Sequence, residues 1–158
     1  MTTKSPHQQR VELFMEHARQ PAPVVPTEPN ARTCELRAAL IMEEALETCN
    51  ALGVVVTANN LDLNDPELDT HAELLFGSVC PTDLVGIADG CADISVVTIG
   101  TLSACGIADE SLFLSVDTNN LDKFGPGHSW NEAGKLIKPP GHEPPDIRKV
   151  LLDQGWQS

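Results

Sequence analysis

Two short acidic patterns stand out by residue type and spacing. Glu43-Glu44-x-x-Glu47 lies in a Leu/Ala/Glu-rich stretch, and Asp89 and Asp93 stand four residues apart in the most apolar stretch of the chain. On a helix wheel of about 100° per residue, Leu36, Leu40, Glu43 and Glu47 fall on one stripe with Glu44 at its edge, so three acids continue an apolar seam. Asp89 and Asp93 lie on the stripe that continues through Val97, Gly100 and Ala104. A run of Glu is ordinarily a solvated face, because Glu is a good helix former; Asp is a poor helix-interior residue and a costly one on a buried face. Carboxylates pointing together into a bundle repel one another and bind protons more tightly unless cations neutralise them. All-oxygen donor sets suit hard cations such as Mg2+ or Mn2+, and two such ions about 3.5–4 Å apart clamp phosphate esters and anhydrides for hydrolysis. Glu43, Glu44, Glu47, Asp89 and Asp93 are therefore the candidate ligands for two or more metal ions.

A third cluster has the chemistry to hold a polyphosphate. Val116, Asn120 and Lys123 share one helical face, and Lys135 and Lys138 follow in a Gly/Pro-rich segment able to close over a ligand. Asn reads a base or ribose edge, and Lys holds phosphate oxygens as a mobile point charge. Singly these are ordinary surface residues. Their value lies in the company of the acids.

The elements that position these residues follow from patterning. With 23 Asp+Glu against 10 Lys+Arg the net charge is −13, and no Lys/Arg cluster offers the counterion release on which nucleic-acid binding rests. Five Cys without a Cys-x-x-Cys pair argue against a zinc site. The charge-free run from Ile94 to Ala108 falls short of the roughly 20 residues a bilayer span requires, and the polar start lacks a signal pattern, so a cytoplasmic location and no membrane are expected. Four Phe, two Trp and no Tyr leave an aliphatic core, which favours packed helices.

A single all-α domain over residues 1–158 is expected, a four- to five-helix bundle with a Gly/Pro-rich C-terminal segment. Ser5 to Gln20 forms a short amphipathic helix burying Val11, Phe14, Met15 and Ala18, and the prolines at 21, 23, 26 and 29 make an extended strap that completes residues 1–30. Residues 33–125 hold the catalytic helices. The first runs from Thr33 to Leu52 and stops at Gly53. Val54-Val55-Val56 reads as a strand or a last helical turn, Asn59 to Asp65 as loop, and Pro66 to Phe76 as a helix ending at Gly77. Thr82 to Cys105 is apolar nearly all round and belongs at the bundle centre or between subunits. Asp109 caps the next helix, which turns Leu112, Phe113 and Val116 inward and stops at Gly125. Residues 126–158 are a closing tail, with a last helical turn or two from Asp146 to Leu152.

The set Met42-Glu43-Glu44-Ala45-Leu46-Glu47, Ala88-Asp89-Gly90-Cys91-Ala92-Asp93-Ile94 and Asn119-Asn120-Leu121-Asp122-Lys123 resembles the MazG-like all-α nucleoside triphosphate pyrophosphohydrolases. The tail from Gly134 to Gly141, with Pro144-Pro145-Asp146-Ile147, is similar to the phage and bacterial branch labelled phosphoribosyl-ATP pyrophosphohydrolase-like. The resemblance covers Leu36 to Leu151. It implies a helical bundle that forms a homodimer or homotetramer, binds Mg2+ and cleaves an NTP or dNTP between the α and β phosphates. Glu43, Glu44, Glu47 and Asp93 match the family's metal-binding acids, which makes Glu43, Glu44 and Glu47 also the candidate catalytic carboxylates, while Asn120, Lys123, Lys135 and Lys138 would bind the substrate. One departure is visible: the family's second motif reads Glu-x-x-Asp, whereas Gly90 stands three before Asp93 and the acid is Asp89. Base preference stays open among (d)GTP, dUTP and dCTP, with phosphoribosyl-ATP least favoured. The competing reading is a non-catalytic, acidic, oligomeric helical module that binds a structural ion or a protein partner.

Overall fold

The computed structural model describes residues 3–20, 22–57, 75–78, 81–131 and 136–157. Among them are five helices, α1 (Pro6–His17), α2 (Ala31–Ala51), α3 (Leu84–Ala104), α4 (Asp109–Asp122) and α5 (Ile147–Asp153). Strands β1 (Val54–Thr57) and β2 (Leu75–Ser78) form one small antiparallel sheet, and β3 (Ser129–Trp130) and β4 (Leu136–Ile137) another. The architecture is that of an all-α helical bundle protein with minor strands. Two compact units divide the chain: residues up to Pro29 together with Ile99 onward, and Asn30–Thr98, the boundary falling inside α3.

In the first unit, α1 starts where Ser5 caps it: Ser5 Oγ accepts the Gln8 N–H at 3.0 Å, and Pro6 occupies the first helical position, where a missing N–H costs nothing. Val11 and Met15 are buried as expected, but Phe14 is two-thirds exposed and Ala18 is exposed, so the apolar stripe is narrower than the spacing predicts. A polar network holds the turn between α3 and α4. Asp109 is only 2% exposed and accepts hydrogen bonds from both the Ser5 N–H, at 2.8 Å, and the Ser5 hydroxyl. Fully buried Gln8 donates to Ser103 Oγ and to the Ile107 carbonyl, and accepts the Asp109 N–H at 2.9 Å. Gln154 grips the same turn from α5, accepting the Ala108 N–H and donating to the Ala108 carbonyl and Ser111 Oγ. Asp109 is thus the first residue of α4, preceded by Ala108 as N-cap, and its carboxylate anchors α1 instead of capping its own helix.

The strap after α1 lies against this turn. Thr27 N–H donates to the Cys105 carbonyl at 2.8 Å, and Gly106, at φ +70°, faces the Val25 backbone so closely that a Cβ would sit 2.7 Å from the Val25 carbonyl carbon. Only glycine fits both the angle and the approach. Beyond α4 the tail is more ordered than its Gly/Pro content implies: β3 and β4 pair Ser129 with Ile137 and Trp130 with Leu136, and Asp146 caps α5 through the Lys149 N–H.

In the second unit, Asn30 caps α2 by accepting the Thr33 N–H, and Gly53, at φ +76°, follows its C-terminus. Val54-Val55-Val56 is strand, paired through Val56 with Phe76 and through Val54 with Ser78. Leu75–Ser78 is therefore strand β2, not the end of a helix reaching Phe76 and Gly77; β-branched residues facing a partner strand favour pairing over a last helical turn. The expected loop at Asn59 to Asp65 and the start of that expected helix lie outside the described residues.

Helix α3 departs from a buried core helix. Leu84 and Val85 are 79% and 81% exposed, and burial begins at Gly90. By length and composition α3 is apolar enough to cross a membrane. It nevertheless carries Asp89 and Asp93.

Candidate active site

Helices α2 and α3 meet at two small residues. A Cβ at Gly90 would press on Thr48, 3.2 Å from its Cβ and 3.3 Å from its Cα, and one at Gly86 would lie 3.2 Å from the Ala51 Cβ. As numbers rise along α2 they fall along α3, so the helices run antiparallel here. Thr48 turns its hydroxyl back onto its own helix, donating to the Glu44 carbonyl at 2.7 Å, so this hydroxyl is not stranded where the helices touch. Asp83 joins the ends of the two helices: its N–H donates to the Ala51 carbonyl and its carboxylate accepts the Val85 N–H.

This close approach explains the glycine at position 90. A glutamate there would drive a long side chain into Thr48, so the acid of the second motif stands one step away at Asp89, on the rim. The same approach sets the wheel. The inward line of α2 runs through Arg37, Glu44, Thr48 and Ala51, about a quarter-turn from the Leu36-Leu40-Glu43-Glu47 stripe expected from hydropathy. Leu36 is exposed accordingly, Glu44 is the half-buried acid, and Glu43 and Glu47 flank it in the open. On α3, Gly90, Val97, Gly100 and Ala104 are buried and Asp93 half-buried, while Asp89 is exposed.

The five acids belong to one electrostatic neighbourhood. Partial desolvation, and then the charges of Asp93, Glu47, Glu43 and Asp89 in that order, raise the Glu44 carboxyl above its ordinary value. Glu47, Asp89 and Asp93 line one open cleft of about 560 Å³ together with Asn50, Asp83 and Gly86. Asn50 and Asp83 were not singled out from the sequence; Asp83 carried a signal, since an Asp just ahead of an apolar helical run is a helix-start residue. Among the described residues no three Asp, Glu, His or Cys side chains converge closely enough to form a ready ion shell. The carboxylates ring a cleft rather than a point. Their fit to cations is therefore one of donor chemistry: oxygen donors only, with like charges that raise the proton affinity of the central one.

The substrate candidates fall in the other unit. Asn120 is exposed and its Oδ1 accepts a hydrogen bond from Lys123 Nζ at 2.5 Å, at the C-terminal end of α4. Neighbouring Asn119 donates to the Glu143 carbonyl at 2.7 Å, tying the tail to α4. Lys138 is exposed just after β4, and Lys135 lies outside the described residues.

Residues 9–120 match the profile of the phosphoribosyl-ATP pyrophosphohydrolase family. The chain belongs to that family. Through it the chain falls in the MazG-like all-α NTP pyrophosphohydrolase superfamily, and the activity that membership supports is pyrophosphohydrolysis of nucleotides. The matched span includes all five acids and Asn120, and stops short of Lys123 and the tail lysines. No curated protein matches the chain.

Proposed function

We propose that this family member hydrolyses a nucleoside or deoxynucleoside triphosphate to the monophosphate and pyrophosphate, using Mg2+ or Mn2+ held by Glu43, Glu44, Glu47, Asp89 and Asp93. The observation that carries the reading is the gathering of Glu47, Asp89 and Asp93 on one cleft where α2 meets α3, with the Glu44 carboxyl within reach of their charges. Such a set of like charges has little use without cations. Bound there, divalent ions supply charge stabilisation to the phosphate oxygens. The chain's own contribution is distinct. Glu44, half-buried on the inward line of α2, is the carboxylate placed to take the proton from the attacking water as the α–β anhydride opens. Glu43 and Glu47 flank it on α2, and Asp89 and Asp93 lie near it on α3.

Asn120, Lys123, Lys135 and Lys138 are the groups proposed to bind substrate, with the Asn120 side chain orienting the Lys123 ammonium group. An acidic chain of net charge −13 otherwise repels a polyphosphate, so lysines and cations are both needed to admit one. The exposed apolar residues of α3 and α2 favour assembly into a homodimer or homotetramer.

The deciding experiment is pyrophosphate release from the eight common NTPs and dNTPs with Mg2+ or Mn2+, beside Glu47→Ala and Asp93→Ala. Turnover of at least one nucleotide, lost in both variants while their circular dichroism stays that of the parent, is the expected result. Either variant retaining the parental rate would sink the assignment of the acids. Silence of the folded, metal-supplied protein across the panel would sink the NTP reading.

A further inference from the structure

We infer that Phe124, His128 and Trp130 form a stacking platform for the base of the nucleotide, which goes beyond the acid and lysine roles above and rests on the proposed nucleotide substrate. The chain is poor in aromatic residues, with four Phe, two Trp and no Tyr, yet three rings meet immediately after Lys123. Phe124 stands edge-on to His128 at 5.9 Å between centroids and tilted to Trp130 at 6.3 Å. Aromatic clusters of a small protein normally serve its core. Here Phe124 is 51% and Trp130 58% exposed, so the rings present surface to a ligand.

Turn hydrogen bonds and a short ladder hold the backbone that carries the rings. Helical hydrogen bonding runs past α4 to Gly125, whose N–H donates to the Asp122 carbonyl, and the chain then reverses, with the His128 N–H donating to the Gly125 carbonyl at 3.2 Å. His128 Nδ1 lies 3.0 Å from that same carbonyl. A carbonyl only accepts, so Nδ1 carries the hydrogen and Nε2 remains as the ring's other polar atom, available to a base edge. Trp130 is fixed in β3 opposite Leu136. Lys138 directly follows Ile137, the last residue of β4.

Charge selects the occupant. Apolar rings alone would accept any flat or greasy partner, but Lys123, held by Asn120, directly precedes Phe124, and Lys138 directly follows β4, the partner strand of Trp130; these are two of only ten Lys+Arg in a chain of net charge −13. A flat ring attached to phosphates satisfies both features. Base–aromatic stacking tolerates any base and is worth roughly tenfold or more in affinity per base.

The second tryptophan allows a direct readout. Trp156 is half-buried beneath Arg148, whose guanidinium lies 5.2 Å from the ring centroid, well separated in sequence from the platform. In full-length Trp156→Phe protein with Mg2+, Trp130 is the single emitter, titrated with the four nucleoside monophosphates and, separately, with inorganic pyrophosphate. Saturable quenching by at least one monophosphate and none by pyrophosphate is expected. Trp130→Ala should then raise KM for the nucleotide about tenfold with kcat within about twofold, and Trp130→Phe should recover most of the loss. An active Trp130→Ala enzyme with parental KM, or equal quenching by pyrophosphate, would overturn the inference. So would emission that follows protein concentration instead of nucleotide, because a second copy of the chain would then cover the rings. Quenching by a monophosphate in a protein that hydrolyses no triphosphate would keep the platform and remove the proposed reaction; hydrolysis without any Trp130 response would do the reverse.

Discussion

Glu44 concentrates the electrostatics of the acid cleft, and its behaviour with pH follows in sign. Its carboxyl is raised by partial desolvation and by Asp93, Glu47, Glu43 and Asp89, so the folded chain binds this proton more tightly than the unfolded chain. The group's contribution to stability is thus fully present below the ordinary glutamate value and is lost as pH rises through the raised folded value. In metal-free buffer the melting temperature should fall over that window. Glu44→Gln, which removes the charge but keeps the shape, should flatten this limb, and Mg2+ should restore stability to the parent chiefly above the window. Melting curves from pH 4 to 8 with EDTA or Mg2+ check it; a parent and a Glu44→Gln variant with superimposable profiles would show that the acids are not coupled as described. The motif of three Glu was legible in the sequence. That Glu44, not Glu43 or Glu47, occupies the inward line was not, because hydropathy places the stripe by Leu36 and Leu40, whereas Thr48 and Ala51 are what touch α3.

At the scale of elements, the meeting of α2 with α3 does most to assemble the site. Two glycines one turn apart on α3 let the backbones approach, and Asp89, between them, and Asp93, just beyond, are brought near the glutamates of α2 as a result. Gly90→Ala should cost about 1–3 kcal/mol through overpacking against Thr48, whose backbone cannot withdraw as a flexible side-chain end could. Activity should fall along with stability. Adding Thr48→Ala should recover part of both, since it trims the side chain that the new methyl meets first and leaves only the α2 backbone to be accommodated. Chemical denaturation and pyrophosphate release on the single and double variants test this, and an unchanged denaturation midpoint in Gly90→Ala would refute the close approach. The other elements were readable where local chemistry decides them: Ser5-Pro6 for α1, Gly53 after α2, and Asp146 before α5. They were misread where a distant partner decides. Phe76 and Gly77 take a strand because Val54–Thr57 offers one, and Asp109 serves Ser5, more than a hundred positions away, instead of its own helix.

At the scale of the whole molecule, the chain leaves much apolar surface uncovered. Leu84 and Val85 on α3 and Ile41, Met42 and Leu46 on α2 are exposed, and each such side chain gains roughly 1.5–3 kcal/mol on full burial. Self-association is the expected state. Sedimentation velocity at micromolar concentration should show a species larger than the 17.0 kDa chain, and Leu84→Glu/Val85→Glu should shift it towards the monomer. A parent that sediments as a monomer at every concentration would rule this out. The division into two units bears on the same question: the acid cleft belongs entirely to one and the Asn120–Lys123 pair to the other, which no reading of motif order along the chain could have distinguished.

The sequence by itself determined the helical class, the family, the five acids and most helix boundaries, since these depend on residue type, on spacing and on caps that reach only three or four residues. Tertiary structure decided which face of α2 turns inward, why position 90 is glycine, where Asp109 spends its charge, and that Phe124, His128 and Trp130 gather just after α4. Each of these depends on segments far apart in the chain meeting one another, where close backbone approach and the satisfaction of buried polar groups outweigh the periodicity of any one helix.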